Sequence, residues 1–159
     1  DESVDILPLN LNKSTINNFE SSLRLYYTGD SRSASSILKD QNKNMSDKGK
    51  VDIMNKMVTL SEKFKDSLQN NNFVLAGKLL NQNWDFKKKM ADRISNSHIN
   101  KLYSQALNFG AIGGKLLGAG GSGFLLIMAN DHKLIEKYLN CRYLKLNIDQ
   151  VGTTIIYKD

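Results

Sequence analysis

The sequence predicts an α+β fold, in which a mostly antiparallel sheet has helices packed on one face. Strand-like segments stand near both ends of the chain and in its middle, with helical patterns grouped between them. A glycine-rich stretch at residues 110–126 separates two apolar segments, which is typical of a hairpin between antiparallel strands. The length of 159 residues is sufficient for one domain with a hydrophobic core.

The first elements are expected to be two strands and a helix. Val4–Leu7 and Leu9–Leu11 favour a first strand, which the intervening proline limits to a sheet edge or a bulge. Leu23–Thr28 is aromatic and β-prone, and the glycine that follows ends it. Asp30–Ser31 offers a cap for a helix that we expect to run from Ser33 to Leu38.

The central part of the chain is predicted to be helical. Apolar residues recur at helical spacing from Val51 to Leu68, from Phe73 to Trp84 and from Ile99 to Ala106. Polar breaks at Asn70–Asn72 and Ser95–Ser97 separate these segments. Three amphipathic helices with core-facing stripes are therefore expected.

The last part of the chain returns to strands. Phe124–Met128 is continuously apolar, so we expect a strand that is buried on both faces. A short helix should follow, capped by Asn130 or Asp131. Two further strands are expected at residues 143–148 and 153–157, with a glycine turn between them.

Composition limits the classes of function. The formal net charge is +6, but the lysines are spread along helices instead of clustering with aromatic residues, so solvated helix faces are favoured over a nucleic-acid surface. Cys141 is the only cysteine, and the two histidines stand far apart, so no metal site is expected. No apolar run could span a bilayer and no signal-peptide pattern opens the chain, so we expect a cytoplasmic protein.

The glycine-rich turn is the strongest candidate for a functional site. Gly118–Gly123 matches the dinucleotide fingerprint G-x-G-x-x-G, but a strand-like run follows it, and Tyr143 stands where an acidic residue is required. Gly114–Lys115 is followed by Leu116 instead of the Ser or Thr of a P-loop. A glycine-rich hairpin without a ligand stays open as the alternative.

A second candidate is the corner after the strand Leu23–Thr28. The hydroxyls of Ser31 and Ser33 and the guanidinium of Arg32 would stand at a helix N-terminus, where backbone N–H groups attract anions. Plain helix capping beside a surface arginine is the alternative.

A third candidate is a group of side chains on one predicted helix. Lys87 and Lys88 follow Trp84 at i+3 and i+4, so all three lie on one side. An aromatic ring can pack on a sugar and a lysine can act as a point charge for phosphate. The alternative is a half-buried tryptophan beneath the aliphatic stems of two surface lysines.

Several of these segments resemble one protein family. The run Gly-Gly-Lys-Leu-Leu-Gly-Ala-Gly-Gly-Ser-Gly at residues 113–123 resembles the glycine-rich motif in the C-terminal half of the GHMP kinases. Residues 25–35, 83–88 and 94–96 resemble one branch of that family, the D-glycero-D-manno-heptose 7-phosphate kinases. The resemblance covers nearly the whole chain, and it departs at Ser122, where many members have glycine.

The resemblance implies an ATP-dependent kinase that phosphorylates the anomeric hydroxyl of a heptose 7-phosphate, for nucleotide-activated heptose and bacterial surface glycans. It also implies that ATP and Mg²⁺ are bound mainly by an N-terminal domain, because nothing in this chain resembles the ATP-cradling loop of the family. We therefore expect residues 1–159 to form a single domain, the C-terminal domain of a two-domain kinase, which is inactive alone.

The resemblance also suggests roles for the candidate residues. One group would shape the floor of the active site near the phosphate loop of the other domain: Gly118, Ala119, Gly120, Gly121, Ser122 and Gly123. Another would form the wall that binds the phosphorylated sugar: Ser31, Arg32, Ser33, Trp84, Lys87 and Lys88. A related kinase acting on another sugar such as fucose, and a stand-alone α+β ligand- or protein-binding module, stay open as alternatives, as does a homo-oligomer.

Overall fold

The computed structural model describes residues 6, 8–29, 47–149, 152–155 and 157. Within them the chain forms five α-helices, four strands and one 3₁₀ turn. The helices are α1 (Lys13–Ser21), α2 (Lys48–Gln69), α3 (Phe73–Lys88), α4 (Ser97–Asn108) and α5 (Lys133–Leu139). The strands are β1 (Leu23–Tyr27), β2 (Ala111–Leu116), β3 (Phe124–Ala129) and β4 (Tyr143–Lys145), and the 3₁₀ turn spans Asp92–Ile94.

Short polar side chains begin four of these helices. Each accepts a hydrogen bond from a backbone N–H of the first turn, which would otherwise have no partner. The capping residues are Asn12, Asp47, Asn72 and Asn96. The predicted break between α2 and α3 is confirmed, since Asn71 there has a left-handed φ of 54°. Before α5, the Asp131 carboxylate accepts from Lys133 N at 2.9 Å.

The four strands form one sheet in the order β2-β3-β1-β4, and every neighbouring pair is antiparallel. Helices α2, α3 and α4 lie in sequence between β1 and β2, and α5 lies between β3 and β4. This is the split β-α-β-β-α-β order, in which each helical connection skips one strand. The predicted α+β class with an antiparallel sheet is confirmed.

Strand β3 is buried on both faces, as its apolar run predicted. Leu125, Ile127 and Ala129 belong to a cluster that includes residues of α4 and α5. Met128 belongs to a second cluster, with residues of α2 and α3. Because side chains alternate along a strand, these two clusters lie on opposite faces of β3. Helical residues therefore cover parts of both faces, which is more than the helices on one face that the sequence predicted.

Helix α3 and strand β2 touch through their backbones. A Cβ atom added to Gly113 would lie 1.9 Å from the carbonyl oxygen of Gly77. A Cβ added to Gly77 would lie 2.7 Å from the side chain of Ile112. Two glycines facing each other therefore bring α3 directly onto the edge strand of the sheet.

Two predicted strands are wrong where the structure describes them. Residues 9–11 form no strand; they lead into α1, whose Asn12 cap was not recognised. Residues 153–155 form no strand either, and Ile155 is 83% exposed, so β-branched composition alone did not produce pairing. The remainder of the first predicted strand, residues 4, 5 and 7, and the helix predicted from Ser33 to Leu38 lie outside the described residues.

A buried histidine joins β1 to the segment before α5. The His132 ring is 5% exposed. Its Nε2–H donates to the carbonyl of Ser22 at 2.8 Å, which leaves Nδ1 to accept from the Tyr26 hydroxyl at 3.1 Å. Burial lowers the pKa of His132, and nearby Arg24 lowers it further. The Ser22 carbonyl and the carboxylates of Glu136 and Asp131 oppose this shift, so the folded chain favours the neutral ring.

Stability should therefore fall on acidification. The unfolded imidazole takes up a proton near its ordinary pKa of about 6.5, and the folded one resists it. Above the unfolded pKa, the neutral ring makes its full contribution to the free energy of unfolding. That contribution is lost as the pH falls toward the lower folded pKa. We expect the free energy of unfolding, measured with urea, to decrease from pH 7.5 to 5.5. His132→Gln should flatten this slope. A variant with the same slope as the unaltered chain would contradict the assignment.

Candidate functional site

The glycine-rich segment forms the loop of a β-hairpin between β2 and β3. Leu117 N donates to Phe124 O at 2.9 Å and closes the hairpin below the loop. Positive φ angles occur at four loop glycines: Gly118 (74°), Gly120 (116°), Gly121 (78°) and Gly123 (115°). The sharp bend predicted between two sheet segments is therefore present, and it is followed by a strand instead of a helix.

The middle of the loop rests on the end of the 3₁₀ turn and on the residues that follow it before α4. Gly120 is buried, and a Cβ atom added to it would lie 2.8 Å from the Cα and carbonyl oxygen of Ile94. Gly121 N donates to Ile94 O at 2.9 Å, and Asn96 Nδ2 donates to Gly121 O at 3.0 Å. Residue 120 must therefore be glycine both for its φ and for this close approach.

The far end of the loop is held by the end of β1. Thr28 N donates to Gly123 O at 2.9 Å. Gly123 N donates to Thr28 Oγ1 at 3.0 Å, and that hydroxyl lies 3.0 Å from Gly123 O. The candidate residues that follow Thr28 in sequence, Ser31, Arg32 and Ser33, lie outside the described residues.

The near end of the loop is contacted by α3. Lys87 Nζ donates to the carbonyl of Gly118, which is the exposed residue of the loop. The loop is thus bounded by Thr28, Lys87 and residues 94–96. These three contacts come from the three separate segments that resembled the heptose kinases in sequence, and the structure brings all of them to one hairpin.

Trp84 and Lys88 do not point into this arrangement. The Trp84 side chain is 0% exposed and packs beside Tyr103, with ring centroids 6.5 Å apart. Its ring face is therefore not available to a sugar, which corrects the expected role of Trp84 in the wall. Lys88 Nζ lies 2.9 Å from Asp85 Oδ1 and 5.8 Å from the Trp84 ring centroid. Helical spacing does bring these side chains near one another. Trp84, however, is packed in the core and Lys88 is paired with Asp85, so they do not form one binding surface.

Sequence reasoning missed Lys115, which lies within the glycine motif itself. Its Nζ donates to Asn83 Oδ1 at 2.7 Å. Burial lowers the pKa of both Lys115 and Lys87, and the charge of Lys115 adds to the lowering for Lys87. Lys115 is thus held by Asn83, one helical turn before Lys87 on α3. The signal that could have identified Lys115 was its position before the loop.

A concave space of about 460 Å³ adjoins the loop on the β1 side. Its polar lining includes Thr28, His98 and Asn140. His98 Nε2–H donates to Thr28 O at 2.9 Å, so in the neutral ring Nδ1 is left as an acceptor. Thr28 thus lines this cavity and also holds Gly123, whereas His98 was not among the residues selected from sequence.

The part of the chain described here offers no metal site of the usual kind. No group of three or more His, Cys, Asp or Glu side chains within it is arranged to hold an ion. Nor does any helix in the described ranges combine the length and apolarity needed to cross a bilayer.

Comparisons with known proteins point to one family. The family model for the GHMP kinases C terminal matches residues 64–145. The D-glycero-alpha-D-manno-heptose 7-phosphate kinase of Campylobacter jejuni subsp. jejuni serotype O:2 is 26% identical over 130 residues, which cover 82% of this chain and 38% of that protein.

Solved structures share the fold. The L. major mevalonate kinase in complex with R-mevalonate superposes with a TM-score of 0.69 at 21% identity, over 74% of this chain and 37% of that one. A D-glycero-D-manno-heptose 1-phosphate kinase from Bacteriodes thetaiotaomicron gives 0.61 at 19% identity, over 91% of this chain and 38% of that one. The chain therefore spans less than half the length of the relatives that it matches.

Proposed function

Because this chain belongs to the C-terminal family of the GHMP kinases, we propose that it is the C-terminal domain of an ATP-dependent sugar kinase. We take residues 1–159 to be one domain. The nucleotide-binding loop, most ligands of ATP and Mg²⁺, and the catalytic acidic residue would belong to an N-terminal domain of the same protein. The matched relatives are longer than this chain, which leaves room for such a domain.

The observation that carries the proposal is the anchored glycine loop. Phosphoryl transfer depends mainly on positioning and on stabilisation of negative charge. A loop held at Thr28, Ile94 and Lys87 presents the backbone of Gly118 in a defined place, with Lys87 beside it. Such a surface suits the approach of a second domain that holds the nucleotide phosphates.

We propose a heptose 7-phosphate as the acceptor. The relative at 26% identity is named as a kinase of that compound, and it aligns with most of this chain. The reaction would transfer the γ-phosphoryl group of ATP to the anomeric hydroxyl and release ADP and a heptose 1,7-bisphosphate. This product would supply nucleotide-activated heptose for surface glycans, and we place the reaction in the cytoplasm.

The sugar-phosphate wall is proposed from the remaining candidate residues. Ser31, Arg32 and Ser33 follow the strand end that holds the loop, and Lys87 contacts the loop directly. Trp84 is left out because it is buried, and Lys88 because its ammonium is paired with Asp85.

The proposal is tested with the complete protein, ATP and Mg²⁺. Four acceptors should be compared: heptose 7-phosphate, unphosphorylated heptose, fucose and mevalonate. We expect turnover with heptose 7-phosphate and a new anomeric phosphate signal in the ³¹P NMR spectrum. Turnover of fucose in place of heptose 7-phosphate would show that the acceptor is another sugar. No turnover of any sugar would refute the proposed kinase function. The isolated 159-residue chain should be inactive.

Gly120→Ala in the complete protein should lower kcat strongly while the protein stays folded. A residue with a Cβ at φ 116° is strained, and the added atom also meets the Ile94 backbone at 2.8 Å. Gly123→Ala is the matched control, because Gly123 has a φ of 115° but open space around its Cβ position. The clash should cost about 1–3 kcal/mol beyond the strain that both variants share.

Steady-state kinetics and thermal unfolding of the two variants separate a loss of activity from a loss of stability. We expect the larger loss of kcat in Gly120→Ala, because only that variant displaces the loop from its support on Ile94. Equal activities in the two variants would show that the position of the loop on residues 94–96 does not matter for the reaction.

A further inference from the structure

Two lysine side chains from different elements lie at the start of the glycine hairpin. Lys87 lies near the end of α3 and donates to Gly118 O. Lys115 lies on β2 and donates to Asn83 Oδ1 at 2.7 Å. Asn83 and Lys87 are one helical turn apart on the same side of α3. The two ammonium groups therefore share one polar corner between α3 and β2.

Among the described residues, no carboxylate is paired with either ammonium group of this corner. Both recorded acceptors, an amide oxygen and a backbone carbonyl, are neutral. Within the described residues neither Lys87 nor Lys115 forms an ion pair with a carboxylate. Neighbouring Lys88 differs, since its Nζ lies 2.9 Å from Asp85 Oδ1.

Such an arrangement has an energetic cost. Both lysines are partly buried, and burial lowers the pKa of each because the charged form loses hydration. The charge of Lys115 lowers the pKa of Lys87 further, as expected for like charges. An anion beside the two groups would offset both effects, because their acceptors among the described residues, Gly118 O and Asn83 Oδ1, carry no charge.

A cleft at the Lys115 end of this corner has room for an anion, although Lys87 is not among the residues that line it. Lys115 and Asn83 line a cleft of about 170 Å³ between α2, α3 and β2, together with Ser61 and apolar side chains. A single water needs only about 10–15 Å³ by this kind of measure, so a phosphate-sized group fits. The apolar walls lower the local dielectric, which strengthens charge–charge interactions at the mouth of the cleft.

We propose that Lys87 and Lys115, with the amide of Asn83, bind a phosphate-type anion at the start of the glycine hairpin. The site itself follows from the contacts of this chain, and its use in catalysis rests on the proposed kinase function. Two sources would supply the same chemistry: the phosphate ester of the acceptor sugar and the phosphates of the nucleotide. Lysine suits either, because it acts as a point charge with rotatable donors.

The first experiment measures phosphate binding by the 159-residue chain. Inorganic phosphate is titrated at low ionic strength, with chloride at matched ionic strength as the blank, and the ¹³Cε signals of the lysines are followed by NMR. We expect saturable shifts of the Lys87 and Lys115 signals. Lys115→Gln should weaken the Kd at least about tenfold, as expected for the loss of one charge-assisted hydrogen bond.

Two matched variants keep this experiment decisive. Lys88→Gln removes the same charge from the same helix, but it should leave the Kd nearly unchanged, because that ammonium already has a carboxylate partner. Lys115→Arg retains the charge and should retain binding, which separates loss of the site from misfolding. Absence of saturable binding to the unaltered chain, or equal weakening in Lys88→Gln and Lys115→Gln, would overturn the proposal.

The second experiment identifies the source of the anion in the complete protein. If the site holds the phosphate ester of the sugar, Lys115→Gln should raise KM for the sugar phosphate and leave KM for ATP unchanged. If it holds the nucleotide, the reverse is expected. If neither KM changes, the site has no part in the reaction. A complete protein that phosphorylates no sugar would refute the proposed function, while phosphate binding by the 159-residue chain would be unaffected.

Discussion

Gly113→Ala is expected to destabilise the domain by about 3 kcal/mol or more, the upper part of the range for an overpacked core. The added Cβ would lie 1.9 Å from Gly77 O and 3.0 Å from the Cβ of Asn81. The first of these is backbone, so no side-chain rotation can relieve the contact. Either α3 must move away from β2 or the edge strand must bend, and both changes open the core.

Urea denaturation of the 159-residue chain measures this effect, and Gly49→Ala is its control. Gly49 lies in the first turn of α2 at an ordinary φ, and a Cβ there meets only the Asp47 carboxylate, at 3.2 Å. Alanine is favoured over glycine in helices by up to about 1 kcal/mol, so the control should be neutral or stabilising. A loss of less than about 1 kcal/mol in Gly113→Ala would mean that α3 and β2 separate easily.

Trp84→Ala is expected to cost about 3–5 kcal/mol, the range measured for large aromatic residues in cores. Trp84 is 0% exposed and belongs to the larger hydrophobic cluster, beside Tyr103. Its removal would leave a cavity between α3 and α4 that rigid backbone cannot fill. The unfolding free energy in urea should fall accordingly.

Trp84→Phe tests the same packing without removing the aromatic ring. The Trp84 Nε1–H is buried and has no hydrogen-bond partner within the described residues. Phenylalanine removes that unsatisfied donor, which offsets part of the lost volume, so the cost should be clearly smaller than for alanine. Because Trp84 is the only tryptophan, wild-type fluorescence should also be blue-shifted and resist acrylamide quenching. An exposed indole would restore Trp84 as a candidate for the sugar wall.

Much of the fold could be predicted because its local signals agree with its packing. The apolar run at residues 124–128 and the glycines before it predicted a hairpin, and β3 is buried in two clusters. The asparagines before α3 and α4 predicted breaks, and they cap those helices. Such signals act within one turn or one strand, so they need no knowledge of distant contacts.

The predictions that were wrong or incomplete depend on contacts between segments that are distant in sequence. Residues 153–155 have β-prone composition, yet strand formation needs a neighbouring strand with free hydrogen-bonding groups, which composition does not supply. The helical spacing of Trp84, Lys87 and Lys88 is real, but each makes a different tertiary contact. Lys115 escaped notice because its partner Asn83 comes from another element.

The sequence by itself determined the class of fold and the hairpin, since these depend on periodicity and on a contiguous run of glycines. The family was indicated by the resemblance of several segments to known kinases. Only the tertiary structure decided which residues surround the loop: Thr28, Lys87 and Ile94 reach it from three separate segments. It also decided that Trp84 belongs to the core and that Lys115 contacts Asn83, one helical turn before Lys87. The physical reason is that burial and the distances between charges depend on how separate elements pack against each other. Residue spacing within one segment does not specify that packing.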